Sequence, residues 1–281
     1  MPECLELLRA ETGRRWVYES CLQGGSGGAH LARREDSSRV VLKLSQPHLM
    51  EAHVSRTNEL RRLQDVGYPV PDCMDPFLLN DHVVLRAQSW IDSGTSQPRL
   101  THTLLDDILR ANDLQAGFAA DGAGWTDFMR QTLIEGADGW CLHQPLRDWG
   151  RRSARLLQRV RTVASVLDAV ELATTDFVHL DLHLGNILQA NDRLVAIVDC
   201  GGARAGDRTF DLFTLNYLLS LASHEPGVAE RLAELCQDRL DEAALRAYGA
   251  LMALRIVDWA IRNKNDEVDH WLDVADCHVP A

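Results

Sequence analysis

A chain of 281 residues with 46% hydrophobic and 25% charged content can bury one large core or two modest lobes, which excludes a disordered chain. Its formal net charge of −12 argues against nucleic acid as the main partner, since phosphate backbones call for a basic face, and favours cationic ligands. No apolar run reaches the roughly 20 residues of a membrane span, and Met1-Pro2-Glu3-Cys4-Leu5-Glu6 carries acids where a secretory leader carries bases, so a cytoplasmic chain without a membrane partner is expected. Seven scattered cysteines with no CxxC pair read as free, mostly buried thiols.

From the N-terminus, Trp16-Val17-Tyr18, Ala29-His30-Leu31-Ala32 and Val40-Val41-Leu42-Lys43-Leu44 predict three antiparallel strands. The first turn, Gln23 to Gly28, is glycine-rich, and the backbone N–H groups of Gly25, Ser26 and Gly27 are candidates for close approach to a polyphosphate. No Gly-Lys-Ser/Thr follows, so this is not a Walker loop. Lys43 lies among apolar residues in a β run, where a charge is costly unless paired, and is the candidate phosphate-binding lysine. A helix is predicted from about Leu49 to Asp65, stopped by Gly67-Tyr68-Pro69. Glu51 and Glu59 both qualify as the partner of Lys43; Glu59 is preferred because it lies one turn before Leu63 on the same broad face.

Phe77-Leu78-Leu79 and Val83 to Ala87 complete a five-stranded sheet, and Ser89 to Gly94 reads as a linker. Adenine is expected against that linker, hydrogen-bonded to backbone around Ser89 and Ile91. The reading divides the chain into a nucleotide-binding lobe at 1–88, a hinge at 89–95 and a helical lobe at 96–281. Helices are predicted at Leu100–Arg110, through Leu156, Val160, Val163, Leu167 and Val170, and at Phe213–Leu221, Val228–Cys236 and Glu242–Arg262.

Between these helices lies the segment that carries chemistry. His179-Leu180-Asp181 is followed by Asn186, five positions after the Asp, and then by Asp199-Cys200-Gly201 after a short hairpin. That spacing matches a kinase catalytic loop and metal loop. Asp181 would meet a substrate hydroxyl, while Asn186 and Asp199 supply the hard oxygen ligands that Mg²⁺ on a nucleotide's phosphates requires.

The order of parts, from about Tyr18 to Arg262, resembles the aminoglycoside phosphotransferase family. His179-Leu180-Asp181-Leu182-His183-Leu184-Gly185-Asn186 is similar to its catalytic loop, and Gly206-Asp207-Arg208-Thr209-Phe210-Asp211-Leu212 to its Gly-Asp-Pro/Arg-x-x-Asp-Leu stretch. The resemblance implies an α+β, bilobal protein-kinase-like fold, with a five-stranded antiparallel sheet plus helix and then a mainly helical lobe. It implies Asp181 as catalytic base or hydroxyl-orienting group, Asn186 and Asp199 as metal ligands and Lys43 on phosphate, with His179 structural and Asp211 bracing the loop. The cofactors implied are ATP or GTP with Mg²⁺. Three departures fall outside the ligand-bearing positions: Leu180 where the family usually has Gly, Leu184 where it has Pro, and Cys200 where it has Phe or Trp. The usual glutamate position in the helix after Lys43 falls on Arg56.

Length and tail further resemble the kinases that inactivate the tuberactinomycins capreomycin and viomycin. Such substrates are small, hydroxylated and cationic, and Asp207, Asp258, Asp266, Asp269 and Asp273 are the carboxylates available to hold them, the last three at helical spacing. The alternatives are a metabolic hydroxyl kinase acting on choline, homoserine, a sugar or a macrolide, and an inactive nucleotide-binding scaffold. With 6% aromatic residues and no aromatic cluster in the helical lobe, a choline cage is disfavoured.

Overall fold

The computed structural model describes residues 1–22, 28–93, 99–119, 124–137, 139–170 and 172–279. In chain order it comprises α1 (Pro2–Thr12), β1 (Val17–Leu22), β2 (Ala29–Arg33), β3 (Arg39–Ser45), α2 (Met50–Asp65), β4 (Phe77–Leu79), β5 (Val83–Ser89) and β6 (Arg99–Leu100). Then follow α3 (His102–Leu114), α4 (Trp125–Glu135), α5 (His143–Trp149), α6 (Arg151–Val163), β7 (Asp176–Val178), β8 (Ile187–Ala190), β9 (Arg193–Ile197) and β10 (Arg204–Gly206). The chain ends with α7 (Thr209–Leu218), β11 (Ser223–His224), α8 (Val228–Arg239), α9 (Glu242–Asn263) and α10 (Val268–His278).

Two compact units form. One comprises Met1–Pro98, Thr103–Leu114 and Leu184–Ala203, the other Arg99–His102, Gln115–His183 and Arg204–Ala281. The units interleave along the chain, so a single cut near residues 89–95 does not describe them. The physical reason lies in α3 and the β8–β9 hairpin, which are bonded to each other and to the sheet unit. Asp107 on α3 accepts Arg193 Nε at 2.6 Å and Nη2 at 2.8 Å, and Ile197 N–H donates to Pro69 C=O at 2.6 Å.

In the first unit the sheet runs β1-β2-β3-β5-β4, antiparallel between every pair of neighbours. The predicted five strands are therefore present. Val40 and Leu42 point into a core shared with Leu79 and Leu85, and α1 covers it with Leu5 and Leu8. Sequence reading did not foresee α1. Its start is set by Pro2, whose φ suits a first helical turn, and its end by Gly13 at φ +72 with its N–H on Arg9 C=O. Because strand side chains alternate, Val41 and Lys43 fall on the face opposite Val40 and Leu42.

The second unit is mainly helical. At its centre Trp125, Phe210 and Tyr248 are buried and meet edge to face, with ring centroids 5.0 to 6.3 Å apart. A Cβ on Gly206 would stand 2.5 Å from the Trp125 ring, so β10 can pass the indole only with glycine there. No helix among the described residues is long and apolar enough to cross a membrane. The cysteines are thiols, with no disulfide among the described residues; Cys141, Cys200 and Cys236 are buried, whereas Cys21 and Cys277 are exposed.

Candidate active site

In the sheet unit the site grows from the β8–β9 hairpin. Asn191 and Asp192 both take positive φ, 51° and 59°, the geometry of a tight primed turn that Asn and Asp tolerate. The register pairs Ile187 with Ile197, and Val198 N–H donates to Asn186 C=O at 2.9 Å. Asn186 and Asp199 are thereby placed at the open end of the same hairpin. Asn186 is buried, and Asp199 adopts a left-handed conformation, φ 65° and ψ 42°, that begins a short turn over Cys200–Gly202. A non-glycine residue held there is the kind of local strain that recurs at functional positions.

Lys43 reaches this hairpin. Its Nζ lies 2.6 Å from Asp199 Oδ1. Glu59, the predicted partner of Lys43, is instead paired with Arg56. The same Arg56 donates to Ala203 C=O, just beyond Asp199-Cys200-Gly201, so α2 is tied to that segment through an arginine. The cause is positional: Arg56 occupies the helix site nearest the loop, and Glu59, one turn on, neutralises it. Burial pushes the Glu59 carboxyl up and the Arg56 guanidinium down, with each partner's charge opposing the shift. A cavity of about 60 Å³ lies beside this pair, lined among others by Lys43, His53, Cys73, Arg86 and Asp199. Arg86 stands opposite Lys43 across the β3–β5 ladder, and its buried Nε has no hydrogen-bond partner among the described residues. Burial lowers the Arg86 pKa, and the Asp199 charge acts against that.

The remaining cofactor expectations divide. Ser89 closes β5 rather than opening a linker, and its N–H is taken by Asp72 C=O at 2.8 Å, so that donor is not available to an adenine ring. Ile91 follows it outside the strand and is half-buried. Gly25, Ser26 and Gly27 lie outside the described residues. The donor chemistry fits a hard divalent cation on a polyphosphate: Asn186 and Asp199 offer amide and carboxylate oxygens, and Lys43 supplies the adjacent positive charge.

The helical unit carries the other half of the motif. Asp211, fully buried on α7, accepts from His179 N–H at 2.8 Å, Leu180 N–H at 2.9 Å and Gln115 Nε2 at 2.8 Å. Two successive N–H groups can converge on one carboxylate because Leu180 takes φ +73°, the left-handed state in which glycine would be unstrained. Burial raises the Asp211 pKa, while its interaction with His179 and these donors pull it down. His179 is buried and accepts Asp181 N–H on Nδ1 at 3.2 Å. Asp181 itself is partly exposed, with Arg255 Nη2 at 2.5 Å and His183 Nε2 at 3.7 Å from its Oδ1.

The five acids assigned to substrate separate sharply. Asp207 is buried and accepts both Thr209 N–H and Tyr248 Oη at 2.8 Å. Asp258 is fully buried and forked by Arg262, one helical turn away, at 2.7 and 2.8 Å. Asp273 is held by Arg152 of α6 at 2.6 Å. Asp266, in a short turn before α10, and Asp269, in its first turn, are exposed.

Sequence reasoning missed the aromatic cluster, because its members come from α4, α7, α9 and the loop at Trp140. Phe128 and Trp140 stack at 5.7 Å, but Arg204 lies 3.4 Å over Phe128 and Arg255 5.5 Å over Trp140. The ring faces that could cage a quaternary ammonium are already met by guanidinium groups. Also missed was Arg255; a lone cation in the apolar run Leu254-Arg255-Ile256-Val257 was the available signal, the one that singled out Lys43.

A family model described as the phosphotransferase enzyme family matches residues 22–254. The chain belongs to that family. It is therefore a phosphotransferase built on the kinase-like fold, and residues 179–186 and 199–201 lie inside the matched range. No curated protein matches it by sequence. Among solved structures it is similar to aminoglycoside phosphotransferase APH(4)-Ia, with TM-score 0.67 and 16% identity over 99% of this chain and 98% of that one. A complex of a thermostable APH(4)-Ia mutant with ADP and hygromycin B gives 0.65 and 16%, over 98% and 97%. Amicoumacin kinase hAmiN, in complex with AMP-PNP, Ca²⁺ and Ami, gives 0.58 and 14% over 98% and 95%. A provisionally named fructosamine-3-kinase from Thermobifida fusca YX-ER1 gives 0.61 and 17% over the whole of both chains.

Proposed function

We propose that this phosphotransferase moves the γ-phosphoryl group of ATP, or of GTP, onto a hydroxyl of a small cationic antibiotic and thereby inactivates it. The acceptor class is a tuberactinomycin peptide such as capreomycin or viomycin, or an aminoglycoside. What carries the reading is the intact set of Lys43, Asp181, Asn186 and Asp199, each held by named partners, in a chain of net charge −12. The solved relatives that bind hygromycin B or amicoumacin support an antibiotic acceptor.

When bound, Mg²⁺ neutralises charge developing on the β- and γ-phosphates. Asn186 and Asp199 would hold the metal through amide and carboxylate oxygens, and Lys43, now paired with Asp199, would supply positive charge to the phosphates. Asp181 orients the acceptor hydroxyl toward phosphorus. As the new O–P bond forms, the bond to the β-phosphate oxygen breaks and the hydroxyl proton leaves toward the Asp181 carboxylate. Exposed Asp266 and Asp269 are the two of the five acids left to attract cationic groups, by charge rather than by a preformed buried pair.

The test is incubation with γ-labelled ATP and a panel of capreomycin, viomycin, hygromycin B, an aminoglycoside, choline, homoserine and a ketosamine. Label on a cationic antibiotic is the expected result. Label on choline, homoserine or the ketosamine alone overturns the antibiotic reading and makes the chain a metabolic hydroxyl kinase, the role that the fructosamine-3-kinase likeness favours.

A further inference from the structure

The catalytic loop is held from two sides. Asp211 takes the N–H groups of His179 and Leu180, as described, and α9 supplies the other hold. Arg255 donates through Nη1 to Leu180 C=O and through Nη2 to Asp181 Oδ1 at 2.5 Å. The left-handed φ of Leu180 makes this possible, because it turns the residue's N–H toward Asp211 and leaves its C=O on the side of α9. Arg255 is only 16% exposed, and it flanks the Trp140 ring. Trp140 is in turn stacked on Phe128. The guanidinium is thus fixed before any acceptor arrives, by a ring beside it and a backbone carbonyl at one corner.

We infer that Arg255 is the positioning residue for Asp181: it sets the orientation of the carboxylate, so that Asp181 aligns the acceptor hydroxyl. The inference rests on the role given to Asp181 in the proposed reaction. The physical case is that a guanidinium presents several donors in a rigid fork and stays charged at any working pH. Bonding the carboxylate and the adjacent carbonyl together removes rotation of Asp181 about its side-chain bonds, and a small loss of alignment at the attacking oxygen is expensive in rate. A loose phosphoryl-transfer transition state asks for little beyond such positioning and charge stabilisation. One consequence concerns the acceptor. Asp181 and Arg255 together present almost no net charge, so recognition of a cationic drug falls to other acids.

Arg255→Ala, Arg255→Lys and Asp181→Asn, with the double variant Arg255→Ala/Asp181→Asn, test this. With the acceptor that wild type phosphorylates, Arg255→Ala is expected to lower kcat about 100-fold, the scale of removing one preorganised electrostatic donor, with the nucleotide KM nearly unchanged. Arg255→Lys keeps the charge but not the fork and falls between. Guanidinium ion at sub-denaturing concentration should restore Arg255→Ala by about tenfold, a partial rescue because the free ion lacks the pre-paid orientation. Rescue is absent from Asp181→Asn, and a purely structural arginine would not respond to it at all. Near wild-type kcat in Arg255→Ala, or equal loss of kcat from that substitution with and without Asp181, overturns the inference. Should wild type phosphorylate no hydroxyl, the proposed reaction fails, and the pair is judged by urea unfolding of the same four proteins. Arg255→Ala must then destabilise the wild-type background at least twice as much as the Asp181→Asn background; equal destabilisation refutes the pairing.

Discussion

Replacing Asp211 with Asn removes the brace of the catalytic loop while changing almost no volume, which makes its cost calculable. The carboxylate is fully buried and accepts three hydrogen bonds, at 2.8, 2.9 and 2.8 Å. Asparagine offers one oxygen in place of two. Whichever way the amide turns, at least one of His179 N–H, Leu180 N–H and Gln115 Nε2 faces an NH₂ group, and a buried donor left without its partner costs about 1–3 kcal/mol. The bonds that survive fall from charge-assisted to neutral, about 1 kcal/mol each. Against this, burial already disfavours the charged form of Asp211, as the raised pKa shows, so removing the charge recovers part of the loss. The balance is a destabilisation of about 2–3 kcal/mol, or roughly 4–12 °C in Tm for a unit of this size. Thermal unfolding followed by circular dichroism measures it. Because Leu180 loses what holds its strained φ, kcat should fall about 100-fold in the same variant. A Tm within about 1 °C of wild type, together with kcat within about threefold, would falsify the bracing role.

Leu180→Gly trades three terms: relief of about 1–2 kcal/mol of left-handed strain, loss of about 1.5–3 kcal/mol of side-chain burial, and about 0.5–1 kcal/mol of added backbone entropy. Net destabilisation of about 1 kcal/mol with kcat held within about threefold is expected by urea unfolding and steady-state kinetics, since Asp211 still grips both amides. His53 is held near pKa 4, first by burial and then by the Arg86 charge, with Ser45 Oγ 2.8 Å from its Nε2. Its folded pKa lies below the ordinary 6.5, so the unfolded chain takes the proton first. The stabilisation is complete above pH 6.5 and is lost as pH falls from there toward 4. The ring is partly exposed, and solvent screening reduces the effect to about 1 kcal/mol. Comparing urea midpoints of wild type and His53→Gln through this window should show a shallower acid loss in the variant; parallel curves would dismiss the assignment.

Much of the sheet unit was legible in the sequence because its strands alternate cleanly. Val40 and Leu42 against Lys43 set both the core face and the site face of β3. The hairpin carrying Asn186 and Asp199 was equally readable, since a turn of Asn191-Asp192 between two apolar runs has few other solutions. Helix α1 escaped notice because eleven residues with two buried leucines give little periodicity to detect. Pairings distant in sequence were the harder part. The partner of Lys43 was sought on α2, where Arg56 had already taken Glu59; its partner in the structure is Asp199, after the β8–β9 hairpin. Acidic residues in the C-terminal helices looked like a substrate surface. Asp258 and Asp273 instead anchor Arg262 and Arg152, a distinction that charge patterning along one chain does not contain. Arg255 meets Asp181 across 74 positions, and only the packing of α9 against the loop reveals it.

The most direct measurement compares wild type, Asp181→Asn and Asp199→Ala for phosphate ester formed on capreomycin in the presence of ATP and Mg²⁺, followed by ³¹P NMR and product mass. The account predicts a new phosphomonoester with wild type and a fall of about 100-fold or more in each variant, with Tm little changed. Transfer at near wild-type rate by either variant would contradict the assignment of Asp181 to the hydroxyl and Asp199 to the metal.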